Sequence, residues 1–323
     1  MFGRNEIVGQ KYFANAKGDQ LFVTSRFMTL QGEGPFRGQA AFFVRLAKCN
    51  LACTFCDTFF DDGDWMTFDE IEASIETTIE EYFTTEVVEH LSGGYGMDSR
   101  EKITKYVDVP DYAQNYVEDV YESFTGYHIP MRKKKNMVLV ITGGEPMLQK
   151  NLGPFLERME NIFDNTQIES NGTLVQAIPD STTLVVSPKC AEKNGKPTKY
   201  LAPKPEMLTR ADCLKFVMSS DPDSPYHTIP DWAHQWAKKT GKPVFISPMN
   251  IYNDQPQKSK QLRADTNQID ITERSNVDEV ISFWEPGLLD MQANQKNHEY
   301  TAKFCIQHGY TFNMQQHLFA SLA

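Results

Sequence analysis

Short apolar runs alternate with helix-patterned segments along most of the chain. That is the rhythm of repeated βα units, and it confines the chain to an α/β fold with a largely parallel sheet. Strands are expected at 22–30, 41–46, 137–142, 167–170, 184–187, 213–218, 244–247 and 310–314, and helices at 147–163, 231–240 and 290–308. Several chemically loaded motifs follow these strands directly, where parallel folds collect their active sites. The sequence shows no internal repeat.

The regular rhythm is interrupted at about 62–135, which reads as a helical insertion in a single catalytic domain spanning 1–323. Thr67 and Glu70 have the spacing of a capping box, with Met66 and Ile71 placed as its staple. Phe68, Ile71, Ile75, Ile79 and Phe83 recur at helical spacing, with Glu72, Glu76, Glu80 and Glu81 on the other face. A second helix is expected at about 112–124. The polar stretch at 252–276 reads as a loop.

Charge and hydropathy narrow the function. The net charge is −11, whereas a chain gripping a nucleic-acid backbone usually carries a basic face. The one dense basic run, Arg132-Lys133-Lys134-Lys135, reads as a solvated loop. No apolar run approaches the roughly 18–20 residues of a membrane helix, and the N-terminus lacks a signal-peptide core. The expectation is a cytosolic enzyme with a small-molecule substrate, without nucleic acid or membrane as partner.

Cysteine placement carries the chemistry. Cys49, Cys53 and Cys56 are crowded together, while Cys190, Cys213 and Cys305 are scattered. Thiolates suit zinc and iron–sulfur clusters alike. A structural zinc normally takes four protein ligands, so a distant cysteine or a histidine would have to complete it. Three thiolates on a four-iron cube would instead leave one iron open to a ligand. Thr142-Gly143-Gly144-Glu145-Pro146 follows the strand at 137–142. Its glycines permit close backbone approach, and Glu145 offers an acceptor.

Cys-x-x-x-Cys-x-x-Cys after a strand, with Gly-Gly-Glu-Pro downstream, resembles the radical S-adenosylmethionine superfamily. The motifs Leu30-Gln31-Gly32-Glu33-Gly34, Phe43-Val44-Arg45-Leu46, Cys56-Asp57-Thr58 and Ile168-Glu169-Ser170-Asn171-Gly172-Thr173 come in order. Val186-Ser187-Pro188-Lys189, Ser247-Pro248-Met249-Asn250 and Met314-Gln315-Gln316-His317 follow. From about residue 24 to the end this series resembles the 7-carboxy-7-deazaguanine synthase family.

The resemblance implies a partial (βα) barrel of the radical S-adenosylmethionine type. It implies a lyase of 7-deazapurine (queuosine-type) biosynthesis that converts 6-carboxy-5,6,7,8-tetrahydropterin to 7-carboxy-7-deazaguanine and releases ammonia. No residue is implied as an acid or base; a deoxyadenosyl radical does the chemistry. Cys49, Cys53 and Cys56 would hold a 4Fe-4S cluster. Phe55, Cys56, Asp57, Gly144, Ser187, Pro188, Lys189, Ser247, Pro248, Met249 and Asn250 would lie along S-adenosylmethionine. Thr58 would bind Mg2+, and Leu30, Gln31, Gly32, Arg45, Thr142, His317 and Ala323 the substrate. An electron donor such as a flavodoxin and a homodimer are the implied partners. Arg45 also reads as a plain ion-pair residue and Thr58 as a helix cap. Relatives often have Gln-Pro-Met where this chain has Ser247-Pro248-Met249, and serine cannot make every contact of glutamine.

Two rival readings use fewer of these residues. A glycyl-radical activase shares the cysteine motif but has no need of the ordered Leu30, Arg45 and Thr58 segments. A zinc or electron-transfer protein has no use for 142–146.

Overall fold

The computed structural model of the protein describes residues 6–56, 60–91, 100–114, 117–121, 128–132, 134–253 and 289–320. In chain order the elements begin with β1 (Gln20–Leu30), β2 (Ala40–Leu46), β3 (Asp64–Thr67) and α1 (Phe68–Tyr82). Two hairpins follow, from β4 (Thr84–Leu91) with β5 (Arg100–Val107) and β6 (Val117–Tyr121) with β7 (His128–Arg132). Next come β8 (Lys135–Gly143), α2 (Leu152–Met159), β9 (Phe163–Ser170), β10 (Thr183–Val186), and a hairpin of β11 (Cys190–Lys193) and β12 (Lys196–Tyr200). The chain continues through α3 (Pro205–Arg210), β13 (Cys213–Met218), α4 (Asp231–Thr240) and β14 (Val244–Pro248). It closes with α5 (Met291–His308), β15 (Thr311–Phe312) and α6 (Gln316–Ala320).

Nine strands form the main sheet, in the order β15-β14-β13-β10-β9-β8-β2-β1-β3. From β15 to β2 every pairing is parallel; β1 joins β2, and β3 joins β1, in antiparallel fashion. In β8, Met137, Val138, Leu139, Val140 and Ile141 are all buried. Such a run is apolar on both faces because a parallel strand is covered on both sides.

The sheet curls. Glu33, just past β1, meets Lys215 of β13 at 2.7 Å and Ser247 of β14 at 2.7 Å. In the sheet order β1 stands five positions from β13, about 24 Å away in a flat sheet at about 4.8 Å per strand. Only a sheet wrapped around its own interior brings them together, so the α/β fold is the expected partial barrel. Because Leu30 pairs with Ala40, the β1–β2 turn lies at the N-terminal end of the parallel strands. It closes that end of the barrel.

The capping box forms as expected: the Thr67 side chain accepts from Glu70 N–H and Glu70 accepts from Thr67 N–H. Phe68, Ile71, Ile75 and Ile79 of α1 are buried. Beyond α1 the helical insertion is corrected to β structure. The helix expected at 112–124 is a short 3-10 turn at Asp111–Ala113 followed by β6. Val117, Val120 and Tyr121 suit a strand, and the pairing of β6 with β7 is not visible in local periodicity. The helix expected from 147 begins only at Leu152, after a 3-10 turn at Pro146–Leu148. The strand expected at 310–314 contracts to Thr311–Phe312.

The basic run is also corrected at its end. Lys135 is fully buried, and its Nζ donates to Glu76 of α1 at 2.9 Å and to the Ala113 carbonyl at 2.8 Å. It anchors the inserted segment to β8 rather than facing solvent. Most of the polar loop at 252–276 lies outside the described residues. Among the described residues no helix is long and apolar enough to cross a membrane.

Candidate active site

The loops at the C-terminal ends of β2, β8, β9, β10 and β14 converge on one cavity that runs down into the barrel. Cys49, Cys53, Phe55 and Cys56 line it from the loop after β2, and Thr142 and Gly144 from the end of β8. Ser187 and Lys189 line it after β10, Ser247, Pro248 and Asn250 at β14, and His317 from α6. Gln31 and Arg45 complete the expected set within the lining. Leu30, Gly32, Pro188 and Met249 flank the lining without belonging to it. Asp57, Thr58 and Ala323 lie outside the described residues.

The cysteine loop is built by backbone contacts. Gly144 N–H donates to the Leu46 carbonyl at 2.8 Å, and Glu145 N–H to the Lys48 carbonyl at 2.9 Å. These bonds zip the Gly-Gly loop onto the chain entering Cys49. A Cβ on Gly144 would lie 1.8 Å from the Lys48 carbonyl oxygen, and one on Gly143, at φ +106°, would lie 2.4 Å from the Leu46 carbonyl oxygen. The glycines are therefore required by the cysteine loop itself. Lys48 takes φ +71°, a conformation costly for a residue with a side chain. Farther along, Asn50 bonds Thr173 and Asn171, and Thr54 N–H donates to Glu192 of β11 at 2.5 Å.

Glu145 is a positioning residue here. Its carboxylate accepts from Asn171 N–H at 2.7 Å, Ser170 Oγ at 2.7 Å and Met147 N–H at 3.0 Å. Burial pushes its pKa up despite these donors. Besides lining the cavity, this acceptor ties β8 to β9. Lys189 donates to the Ser187 carbonyl at 2.9 Å and to its Oγ at 2.6 Å. Burial, and then the nearby Lys215, lower the Lys189 pKa.

None of the three loop thiols is in a disulfide. Cys49 is buried and the other two are half-buried. Burial raises the pKa of Cys49 and Cys53, so their thiolates call for a cationic partner. Among the described residues, no three of His, Cys, Asp and Glu are close enough to hold a single ion. Cys190, Cys213 and Cys305 do not reach the cavity, and three lining thiols fit a cluster with one open iron.

The floor of the cavity is organised by Lys215, which the sequence did not single out. Lys215 Nζ bridges Glu33 and Glu169, both at 2.7 Å. Burial opposes the charges, but the two carboxylates outweigh it and raise the Lys215 pKa. Burial likewise opposes ionisation of Glu33, and Lys215 overcomes it, so Glu33 stays below its ordinary range. Ser247 Oγ donates to Glu33 and accepts from Asn313. It serves this floor. Arg45 lies over the Phe27 ring, 4.5 Å from its centroid, and Phe27 stacks on Phe43. His317 packs on Gly32, where a Cβ would come within 2.5 Å of its Nδ1.

No protein-family model matches the chain. The 7-carboxy-7-deazaguanine synthase of Rickettsia prowazekii (strain Madrid E) is 29% identical over 269 residues, covering 83% of this chain and 86% of its own. The 7-carboxy-7-deazaguanine synthase of Rhodospirillum rubrum is 28% identical over 258 residues, covering 77% and 82%. The crystal structure of QueE from Escherichia coli covers 96% of this chain and 99% of its own, with 18% identity and a TM-score of 0.48.

Proposed function

We infer that this chain, a relative of the 7-carboxy-7-deazaguanine synthases, is an enzyme of that type. It converts 6-carboxy-5,6,7,8-tetrahydropterin to 7-carboxy-7-deazaguanine with release of ammonia. The single observation that carries the reading is the convergence of Cys49, Cys53, Cys56, Gly144, Lys189, Arg45 and Thr142 on one cavity. A zinc or an electron-transfer site would explain the thiols alone. Either leaves Arg45 and the polar floor without a task.

Cys49, Cys53 and Cys56 would hold the 4Fe-4S cluster. Bound there beside S-adenosylmethionine, that group would supply the one electron that cleaves S-adenosylmethionine to a hydrogen-abstracting radical. The chain's own residues do the rest. Gly144, Ser187 and Lys189, with Pro188 between them, and Asn250 line the side where S-adenosylmethionine would lie. Arg45 offers a guanidinium fork to the substrate carboxylate, held in place by the Phe27 face. Gln31 and Thr142 face the flat ring, whose edge donors and acceptors suit amide, hydroxyl and backbone partners. His317 on α6 shields the substrate from water. Thr58 is the magnesium ligand in this reading. A one-electron donor such as a flavodoxin, and a second copy of the chain, are its partners.

Cys49→Ala, Cys53→Ala and Cys56→Ala should each abolish the cluster and S-adenosylmethionine cleavage. Cys190→Ala, Cys213→Ser and Cys305→Ala should retain both. Iron and sulfide content after anaerobic reconstitution, with 5′-deoxyadenosine as the cleavage product, tests this directly. A scattered cysteine essential for metal content would make a four-thiolate site the better account. Arg45→Lys keeps the charge but loses the fork, and should weaken substrate binding by about 1–3 kcal/mol. S-adenosylmethionine binding, measured by calorimetry on the same protein, should hardly change. Equal loss of both ligands would show that Arg45 supports the fold.

A further inference from the structure

We propose that the β11–β12 hairpin is the docking point of an acidic one-electron donor protein. The proposal rests on the reading of Cys49, Cys53 and Cys56 as cluster ligands. It starts from a charge anomaly. The chain carries a net −11, yet Lys193, Lys196, Lys199 and Lys204 are gathered and exposed along one short stretch. Glu192 is the sole acid between 189 and 204. Its carboxylate is already turned inward to Thr54 N–H.

The hairpin presents two of these lysines side by side. Lys193 pairs with Lys196 across the strands, and like charges placed directly opposite are destabilising. The connection between them is Asn194-Gly195, with φ of +53° and +71°. That is the two-residue turn whose twist matches paired strands. Local folding thus holds two ammonium groups together at a net cost, with no carboxylate bridging them among the described residues.

The same hairpin touches the cysteine loop. Thr54, bonded to Glu192, stands next to Cys53. Cys190 N–H donates to the Tyr226 hydroxyl at 2.8 Å, and Phe55 packs edge-on against the Tyr226 ring. Of the three thiols Cys49 is buried and Cys53 and Cys56 are half-buried, and Cys53 is the one beside the hairpin-bonded Thr54. An electron entering here has a short path to the cluster. The transfer is balanced simply: the donor's flavin or iron–sulfur centre loses one electron, the cluster gains it, and no bond forms or breaks. A basic point on an acidic molecule steers an acidic partner into one orientation and repels it elsewhere.

The test uses the reconstituted chain and two reductants, dithionite and a reduced acidic bacterial flavodoxin. With dithionite, Lys193→Glu/Lys196→Glu should form 5′-deoxyadenosine at the wild-type rate. With flavodoxin its kcat/KM should fall by about tenfold or more, and the fall should shrink as salt rises. Lys193→Arg/Lys196→Arg should behave as wild type, and Lys238→Glu/Lys239→Glu, on the exposed end of α4, should lose little. An unchanged flavodoxin rate in the hairpin variant overturns the proposal. So does an equal loss with both reductants, which would mean the hairpin only shapes the cysteine loop. Failure of the wild-type protein to cleave S-adenosylmethionine with dithionite would instead overturn the cluster reading beneath it.

Discussion

Replacing Gly144 with alanine is expected to strip the protein of iron while leaving the sheet folded. The added Cβ would stand 1.8 Å from the Lys48 carbonyl oxygen and 2.4 Å from its carbon. Both are backbone atoms, so no rotamer change relieves the overlap. The two hydrogen bonds that zip 144–145 onto 46–48 must part, and the chain entering Cys49 moves with them. Disturbing the partners that orient metal ligands typically costs about 10–100-fold in metal affinity. Iron and sulfide per chain after reconstitution should drop accordingly, with far-ultraviolet circular dichroism unchanged. Gly18→Ala, where a Cβ meets nothing within 4 Å, should keep its full iron. A Gly144→Ala protein with wild-type iron would show that the cysteine loop does not depend on this contact.

Lys215→Met should be the most destabilising single change at the cavity floor. It leaves Glu33 and Glu169 facing each other, largely buried, without their shared cation. Removing one partner of a buried ion pair costs about 3–5 kcal/mol. The pH dependence follows from Glu33. In the wild type its folded pKa is depressed, because Lys215 overcomes burial. Its contribution is therefore present above the unfolded value of about 4.3, and is lost only as pH falls through the lower folded value. In the variant the Lys215 attraction is gone, and burial, opposed only by the Ser247 hydrogen bond and the His317 charge, moves the folded pKa up from its wild-type position. The penalty then shrinks as pH falls from 7 toward 5 and Glu33 takes up a proton. Lys215→Met/Glu33→Gln should lose less than the single variant, because the unpaired charge is gone. Denaturant titrations at pH 7 and pH 5 measure both. A gap between wild type and Lys215→Met that widens at pH 5 would contradict the account.

Local signals were legible in the sequence and long-range ones were not. The capping box at Thr67 and Glu70, and the strand at Cys213–Met218, depend on neighbours in sequence, and both stand as expected. The cysteine loop and the Gly-Gly loop were legible as motifs. Their backbone zipper was not, since it joins residues nearly a hundred positions apart. Lys215 looked like one residue of an apolar strand. Its role appears only when the sheet curls and brings Glu33 across from β1. Lys135 ended a basic run that read as solvated, and a helix from the insertion supplies the partner that buries it. The β11–β12 hairpin did carry a signal, the Asn194-Gly195 pair, which is a strong mark of a tight turn.

The account's central claim is the reaction, and turnover tests it most directly. The reconstituted chain is incubated anaerobically with 6-carboxy-5,6,7,8-tetrahydropterin, S-adenosylmethionine, Mg2+ and dithionite, and the products are read by mass spectrometry. The account predicts 7-carboxy-7-deazaguanine and ammonia in equal amounts, both absent from the Cys53→Ala protein. An iron-loaded protein that cleaves S-adenosylmethionine but leaves the pterin unchanged would contradict it.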